Sequence, residues 1–563
     1  MYFSTTKEHE EFRLKVREFS ERVIGPVALK NDLEMHFPEE EFKQLAKEIP
    51  GIWGIYFDKK WGGAGLDVIY YAIAVEEMSR VDGGWGVTLS AHTSLGANPI
   101  NDWGNDAQKE KYLIPMASGK LIGAYGLTEE NAGSDAGGTQ TVAVKQEDGS
   151  YILNGNKIFI TNAGSADVYV VFAVTTPGIG TKGISAFIVE KGWEGFTFGT
   201  RYNKLGIRSS RTQELIFKDV KIPAENLLGK EGEGFKIAMQ TLDGGRIGIA
   251  SQALGIAQGA YEKAVEYVKE RVQFGKPIAA QQALAFKIAE MDTKIQAARL
   301  LIYKAAAMKT EHVPYGKEAA QAKMFASEIA LEVVNDALQL HGGSGYLKGM
   351  EVERHYRDAK ITTIYEGTSE IMRLVISTAI LGKVGGLNKA RKGEEKPQGP
   401  TGQRKEVLFN EGTVEERVDK LVEALKADGY TFGEEVDING KISDAKRGVA
   451  VGMGIADKEN IKLGEELAKA AGAVLGCSRP VAEELQWFPL DRYVGISGQK
   501  FTGDLYIACG ISGAIQHLRG VKDAKTIVAI NNDAHAKIFR NADYGIVGDV
   551  TEIMPLLAKK LRG

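Results

Sequence analysis

Glu366 stands in the stretch TTIYEGTSEIMR (362–373), between a tyrosine and a glycine and just ahead of an apolar helical pattern. A carboxylate in that place has two readings. Thr368 or Ser369 is a good helix N-cap, and an acid near a helix start gains about 0.3–1 kcal/mol from the dipole. Alternatively, Tyr365 excludes water and raises the proton affinity of the carboxylate toward working pH, while Gly367 lets a substrate approach the backbone, as a general base requires. Local sequence leaves both open. A second stretch, GAYGLTEENAGSDAGG (123–138), gathers small residues and hydroxyls around Thr128, Ser134 and Asp135. It suits close approach of the backbone to a planar cofactor and its phosphates, or is a glycine-rich turn at a strand–helix junction. A third, LYIACGISGAIQHL (505–518), reads as strand, tight glycine turn and helix, whose first N–H groups can hold a pyrophosphate.

The elements that position these residues follow from length and texture. A chain of 563 residues is too long for one ordinary core, so two to four domains are expected. Hydrophobic residues at 44% and charged residues at 26% describe a soluble globular protein. Net charge of −4 and pI near 6.2 give no electrostatic footprint for nucleic acid or an anionic membrane. Cys477 and Cys509 are too few for a disulfide framework and lack metal-ligand spacing, so no metal and a reducing compartment are expected. The first residues are charged and amphipathic, neither signal peptide nor membrane span, and a cytoplasmic location is expected.

Residues 1–120 read as helical: Phe12, Val16, Phe19 and Val23 recur at three- and four-residue steps. Across 121–230 the runs YILNGNKIFITN, ADVYVVFAVTT, KGISAFIVEKG and TQELIFKDVKIP are short, β-branched or aromatic, and bounded by Gly, Asn and Pro, the pattern of an antiparallel barrel or sandwich. Long helical patterns return over 231–382, giving an α+β body instead of alternating βαβ units. Residues 383–412 read as a linker; its basic, Gly- and Pro-rich part (383–406) would span roughly 25–30 Å as a flexible coil. Over 413–563, Thr413 and Glu416 form a possible capping box before Val414, Val418, Leu421, Val422 and Leu425 on one helix face. RGVAVGMG, DLYIACG, KTIVAIN and DYGIVGD then read as buried strands of a parallel α/β domain.

GLTEENAGSDAGG (126–138), QLHGGSGY (339–346) continuing through Arg354 and Asp358, and YEGTSEI resemble signatures of the acyl-CoA dehydrogenase family, and the resemblance covers essentially all of 1–382. One departure is Gly349, where the family usually has an acidic or amide residue. The resemblance implies a helical N-domain, a middle β-domain, a C-terminal four-helix domain, and one FAD per subunit in a homotetramer or homodimer. It implies that Leu127 and Thr128 contact the flavin ring, Ser134 the cofactor or the thioester arm, and Phe159 and Thr161 the isoalloxazine. Arg271, Gln273 and Phe274, with Gln339 and Gly343, would reach the FAD of a neighbouring subunit, and Thr368 and Glu370 would close over its adenosine-diphosphate part. By residue type alone, Phe159 and Phe274 fit a core equally well, Arg271 fits a helix end, and His341 fits a structural role.

In the family, the glutamate equivalent to Glu366 removes the α-proton of an acyl-CoA as the β-hydrogen leaves as hydride to flavin, and its backbone N–H helps hold the thioester carbonyl. One branch places its base immediately before an arginine on another helix. Here that pair is Gly245 and Arg246, without a carboxylate, so the resemblance assigns the base to Glu366. Asp243, Arg246 and Gly367 are expected on the substrate side.

GCSRP (476–480), GISGAIQH (510–517), VAIN (528–531) and ADYGIVGD (542–549) resemble, in order, the FAD-binding domain of the electron-transferring flavoprotein alpha subunit over about 440–563. The resemblance implies Arg479 at a second flavin ring, and Ser478, Gly510, Ser512, Gln516, His517, Asn531 and Asp549 around FAD. Three residues depart from that family: Ser497 replaces a flavin-facing threonine, Ile496 a glutamine and Met453 an arginine. AMP, or no ligand, is the alternative occupant. The two cysteines are expected to be buried and inert.

The expected function is a flavin-dependent acyl-CoA dehydrogenase, or the reverse 2-enoyl-CoA reductase, of short-chain type. Its electrons would be relayed to a second flavin and on to an electron-acceptor protein. The alternatives are an acyl-CoA oxidase, and a dehydrogenase whose last domain only docks a partner.

Overall fold

The computed structural model describes residues 5–382, 404–534 and 536–562. The chain forms two compact units, 1–384 and 385–563. Residues 383–403, most of the expected linker, lie outside the described residues, whereas Val407–Phe409 is a strand at the edge of the second unit's sheet.

The helices of the first unit that matter for the site are α1 (Lys7–Phe19), α2 (Val68–Val81), α3 (Gly234–Glu270), α4 (Gln282–Thr310), α5 (Gly316–Leu340) and α6 (Ser369–Leu381). Val16, Phe19 and Val23 are buried as their periodicity requires, and Phe12 packs partly buried against the same core. Apolar periodicity does not reveal the charges sharing that core. Glu76 and Glu77 of α2 are 1% and 0% exposed; Arg13 reaches them at 3.2 and 2.7 Å, Arg17 meets Glu77 at 2.8 Å and Arg299 meets Glu76 at 2.7 Å. A carboxylate removed from water needs such partners, and the network ties α1 and α4 to α2.

Between the helical layers lies an eight-stranded sheet: β1 (Gly123–Gly126), β2 (Val142–Lys145), β3 (Tyr151–Thr161), β4 (Val168–Val174), β5 (Ile184–Glu190), β6 (Phe196–Arg201), β7 (Thr212–Ile222) and β8 (Leu227–Leu228). Its order is β6-β7-β3-β2-β4-β5-β8, with β1 against β4. The four expected strand runs are β3, β4, β5 and β7. The sheet is mostly antiparallel as expected, except that β1 and β2 each run parallel to β4. The β3–β7 pairing slips between Lys157 and Ile160, and this bulge places Phe159 at φ 58° with its ring 58% exposed. A two-stranded hairpin, β9 (Val272–Gln273) and β10 (Lys276–Pro277), follows α3.

The second unit is a seven-stranded, wholly parallel sheet: β11 (Val407–Phe409), β12 (Arg447–Val451), β13 (Val474–Ser478), β14 (Tyr493–Val494), β15 (Leu505–Cys509), β16 (Thr526–Asn531) and β17 (Tyr544–Val547). Helices α7 (Val414–Ala427), α8 (Ile461–Ala471), α9 (Ile515–Val521) and α10 (Val550–Arg562) accompany it. Strand side chains alternate between two cores, Val449 and Val451 in one and Ala450 in the other, so both faces are covered and the strands read as continuous apolar runs. Thr413 and Glu416 form the expected reciprocal capping box, and Val418, Leu421, Val422 and Leu425 are buried beneath it.

Candidate active site

Glu366 follows a 3₁₀ turn, Lys360–Thr363, and precedes α6. Its φ is 51° and that of Gly367 is 96°, so two consecutive residues adopt the left-handed conformation, which costs a non-glycine residue about 1–3 kcal/mol. Thr368 is the N-cap, accepting from the Ile371 N–H at 3.3 Å, whereas the Ser369 hydroxyl is buried without a hydrogen-bond partner. Of the two cap candidates the helix uses Thr368, and Glu366 is not needed for capping.

Glu366 Oε2 is buried and likewise has no hydrogen-bond partner. Gly245 of α3 lies opposite: a Cβ there would sit 2.1 Å from Glu366 Oε2 and 2.8 Å from Leu95 Cδ2. Burial pushes the carboxyl of Glu366 up to about 8, opposed by the positive charges of Lys323 and Arg246. Arg246 is 6% exposed and pairs with Asp243 at 2.5 Å; burial raises the Asp243 carboxyl and that arginine opposes the rise. The phenols of Tyr71, Tyr125 and Tyr365 are all held above the ordinary range by burial and by the Glu366 charge. Tyr365 bonds Gln252, Tyr71 donates to Ser90 Oγ at 3.0 Å, and Tyr125 donates to the Ala238 carbonyl at 3.2 Å. A carboxyl in such surroundings is poised to exchange a proton near neutral pH.

The 126–138 segment leaves β1 and is drawn together by a buried ion pair that its glycines and hydroxyls do not announce. Lys157 of β3, 0% exposed, reaches Glu129 Oε1 at 2.6 Å, Thr139 Oγ1 at 2.9 Å and the Leu127 carbonyl at 3.3 Å. Glu129 also accepts from the Gln140 and Thr141 N–H groups at 2.6 and 3.0 Å; against burial, which raises it, Lys157 together with Thr139 and Thr141 holds its carboxyl down at about 2. Leu127 is buried, Thr128 half-buried with its carbonyl taking the Ile158 N–H at 2.9 Å, and Ser134 exposed. The bulged end of β3 brings Phe159 and half-buried Thr161 beside this loop's anchor. The exposed Phe159 ring, touching Tyr202 at 4.8 Å, is a flat apolar surface of the kind a planar ring covers, and a Cβ at Gly133 would meet nothing within 4 Å. These residues fit a flavin.

Arg271, Gln273 and Phe274 occupy the end of α3 and the β9–β10 hairpin, and all are exposed, Phe274 by 93% at φ 52°. Gln339 and Gly343 are also exposed and adjoin them through Tyr267 and His341, whose rings stack at 4.3 Å. His341 is buried with Nδ1 at 2.8 Å from the Ala337 carbonyl, a structural role. Among the described residues this group makes no hydrogen bond or ion pair with the 126–138 loop. Phe159 and Phe274 are thus not core aromatics. Gly349, the family departure, has φ 97°, where glycine is the natural occupant. Glu370 is exposed in the first turn of α6.

In the second unit, β13 and β14 lie on one side of β12 while the chain resumes on its other side with β15, so strand order reverses between β12 and β15. The crevice at the carboxyl ends of such strands is where open parallel sheets bind ligands. Gly452 and Gly510 meet there: the Gly452 N–H donates to the Cys509 carbonyl at 2.8 Å, and a Cβ on Gly452 would lie 2.3 Å from the Gly510 carbonyl oxygen. Ser512 is exposed beyond Gly510, and Ser478 and Asn531 end β13 and β16. His517 is 5% exposed; its Nε2 lies 2.9 Å from Tyr506 Oη, its Nδ1 is buried with no partner, and burial pulls it down to about 4. The glycine contact at the strand ends, with the exposed Ser512 beyond it, allows close approach of a ligand to the backbone, which fits a flavin. Other expected contacts are engaged elsewhere. Asp549 accepts from the Thr551 N–H at 2.8 Å, Arg479 pairs with Glu483 at 2.7 Å, and Ser497 accepts from Tyr493 Oη at 3.0 Å. Gln516 is exposed, its carbonyl taking the Ile496 N–H at 2.9 Å. Both cysteines are buried and their thiols are pushed up to about 12 by burial, so both are inert. Among the described residues no cluster of His, Cys, Asp and Glu could hold a metal, and no helix is long and apolar enough to cross a membrane.

Models of the acyl-CoA dehydrogenase N-terminal, middle and C-terminal domains match residues 6–120, 124–220 and 232–381. The chain belongs to the acyl-CoA dehydrogenase family. It is an oxidoreductase of that family joined to a second flavoprotein module, because a model of the electron transfer flavoprotein FAD-binding domain matches 441–522. Asn531 and Asp549 lie beyond that matched segment. The short-chain specific acyl-CoA dehydrogenase of Clostridium acetobutylicum is 56% identical over 380 residues, 68% of this chain and 100% of the relative. The acryloyl-CoA reductase (NADH) of Anaerotignum propionicum is 49% identical over 382 residues, 68% of this chain and 96% of the relative. Among solved structures, butyryl-CoA dehydrogenase from Megasphaera elsdenii superposes with a TM-score of 0.67 at 51% identity, covering 68% of this chain and all of that one. A chain from work on the electron transferring flavoprotein of Acidaminococcus fermentans and flavin-based electron bifurcation gives a TM-score of 0.67 at 53% identity over the same shares. This membership makes FAD the expected cofactor of the acyl-CoA dehydrogenase body.

Lys323 and the Lys157–Glu129 pair escape the motif reading altogether. Each lysine interrupts a buried pattern, Lys323 among Ala319, Ala322 and Ala326 on α5, and Lys157 on an inward position of β3. A lysine at an apolar position is the signal that finds them.

Proposed function

We propose that this chain oxidises short acyl-CoA thioesters at the α,β carbons, or reduces the corresponding 2-enoyl-CoA, with Glu366 as the group that takes or returns the α-proton. The observation that carries this reading is the buried, unpartnered Glu366 Oε2, opposite a glycine and pushed up to about 8. An ordinary surface carboxylate near 4.5 is too weak a base for a thioester α-proton, whereas a desolvated one is matched to neutral pH. The Glu366 N–H makes no hydrogen bond with a described residue, which leaves it free to hold a thioester carbonyl and stabilise negative charge developing on it. Leu127, Thr128, Ser134, Phe159 and Thr161 would hold FAD, with Thr368 and Glu370, and with Arg271, Gln273, Phe274, Gln339 and Gly343 toward a neighbouring subunit. FAD, when bound, supplies the acceptor for the β-hydride. Asp243, Arg246 and Gly367 border the substrate side. Names of relatives, short-chain specific dehydrogenase and acryloyl-CoA reductase, support the substrate class and leave both directions in play.

The second unit would receive the electrons on a second FAD held by Ser478, Gly510, Ser512 and His517, and pass them to an electron-acceptor protein. Its connection to the dehydrogenase in one chain replaces a diffusional encounter by a tethered one. The test is a flavin count on the purified full-length protein with anaerobic bleaching by butyryl-CoA. Two FAD per chain, bleaching abolished by Glu366→Gln, is the expected result. One FAD per chain removes the relay, and normal bleaching in Glu366→Gln removes the base.

A further inference from the structure

Lys323 sits among small buried residues of α5: Ala319, Ala322, Ala326 and Ala330 are each 0% exposed, and so is Lys323. An ammonium in such a place is costly unless it is bonded. The acceptor is a main-chain carbonyl: Lys323 Nζ donates to the Gly367 oxygen at 2.6 Å, and no carboxylate among the described residues lies within ion-pair distance. Gly367 is the second residue of the left-handed turn, at φ 96°. The lysine therefore grips the backbone at the residue following Glu366.

We propose that Lys323 is a positioning residue: its ammonium clamps the Gly367 carbonyl, fixing the aim of the Glu366 carboxylate and placing a positive charge near it. The inference rests on Glu366 being the base. The charged and titratable groups facing Glu366 are Lys323 from α5, Arg246 from α3, Tyr71 from α2, Tyr125 from β1 and the adjacent Tyr365. Arg246 already has Asp243 for a partner. Lys323 in turn feels Glu366, Arg246, Glu328 and Glu370, and burial brings it down to about 8. Of the two cations that favour the ionised form of Glu366 it has the larger effect, and it is the one without an ion-pair partner among the described residues.

The test compares Lys323→Met and Lys323→Gln in the full-length, FAD-loaded protein, reading the anaerobic rate of bleaching by butyryl-CoA against pH. Lys323→Met loses both the bond and the charge; its rate should fall about 10²-fold at pH 7, as for a misaimed group, and its pH midpoint should rise by about one unit or more. Lys323→Gln keeps a donor without the charge, so its midpoint should rise equally while its rate at high pH recovers most of the loss. An unchanged midpoint in both variants overturns the proposal. So does loss of FAD from both, which makes the lysine structural only. Glu366→Gln, run beside them, separates the two ideas: if it is inactive while the Lys323 variants behave as wild type, the base stands and the positioning role fails.

Discussion

A methyl group on Gly245 would lie 2.1 Å from Glu366 Oε2, so α3 yields the space that the Glu366 carboxylate fills from the opposite wall. The two positions face one point in the site, and only one of them can carry a side chain there. Gly245→Ala should displace the carboxylate and lower kcat/KM for butyryl-CoA by about 10²-fold, with FAD content unchanged. A double change, Gly245→Glu with Glu366→Gly, should return part of the activity lost in Glu366→Gly, because the acid then reaches the same point from α3. Steady-state kinetics of the variants decides both.

Rate should depend on pH through Glu366. With the carboxyl pushed up to about 8 by burial, the base is mostly protonated at pH 7, and the rate of bleaching should rise about tenfold per pH unit until it levels near 8. Stopped-flow absorbance between pH 6 and 9.5 measures the midpoint; a plateau already reached at pH 6 contradicts it.

Stability carries the same sign. The folded-state carboxyl of Glu366 lies above its ordinary 4.5, so between 4.5 and about 8 the folded chain holds a proton that the unfolded chain releases. Unfolding free energy from this group therefore falls as pH rises through that window. Glu366→Gln removes the penalty: its Tm should match wild type near pH 4.5 and exceed it by the largest margin at pH 8 and above, as differential scanning fluorimetry would record.

Lys157 and Glu129 pair within the core at the 126–138 loop. Lys157→Met leaves Glu129 buried without its cation, which costs about 3–5 kcal/mol and loosens the 126–138 segment. The variant should lose FAD on gel filtration at concentrations where wild type keeps it, and its Tm should drop.

The second unit offers an independent handle. Gly452→Val would drive a side chain into the Gly510 carbonyl at the crevice between β12 and β15. Flavin content should fall from two to one per chain, while bleaching of the remaining flavin by butyryl-CoA keeps its wild-type rate. Absorbance with protein quantitation reads the first and stopped flow the second.

Much of this was legible in the chain itself. Strands such as 151–161 and 526–531 carry enough β-branched and aromatic residues to declare themselves, and Thr413 with Glu416 needed only a three-residue spacing. β1, β2 and β6, and also β13 and the two-residue β14, did not, because their residues are small or few. Residue type also left Phe159 and Phe274 divided between core and surface; a bulge in β3 and a hairpin after α3 put both outside.

What the sequence determined by itself was the family, its order of domains and the identity of Glu366 as the one acid at the expected place, since motifs and periodicities are local. Tertiary structure alone decided the state of that acid. The glycine opposite it, Arg246 beside it and the Lys323 hydrogen bond to the next residue come from two helices and a turn separated by tens of residues. Proton affinity depends on what surrounds a carboxyl in space, and that environment exists only once the chain has folded.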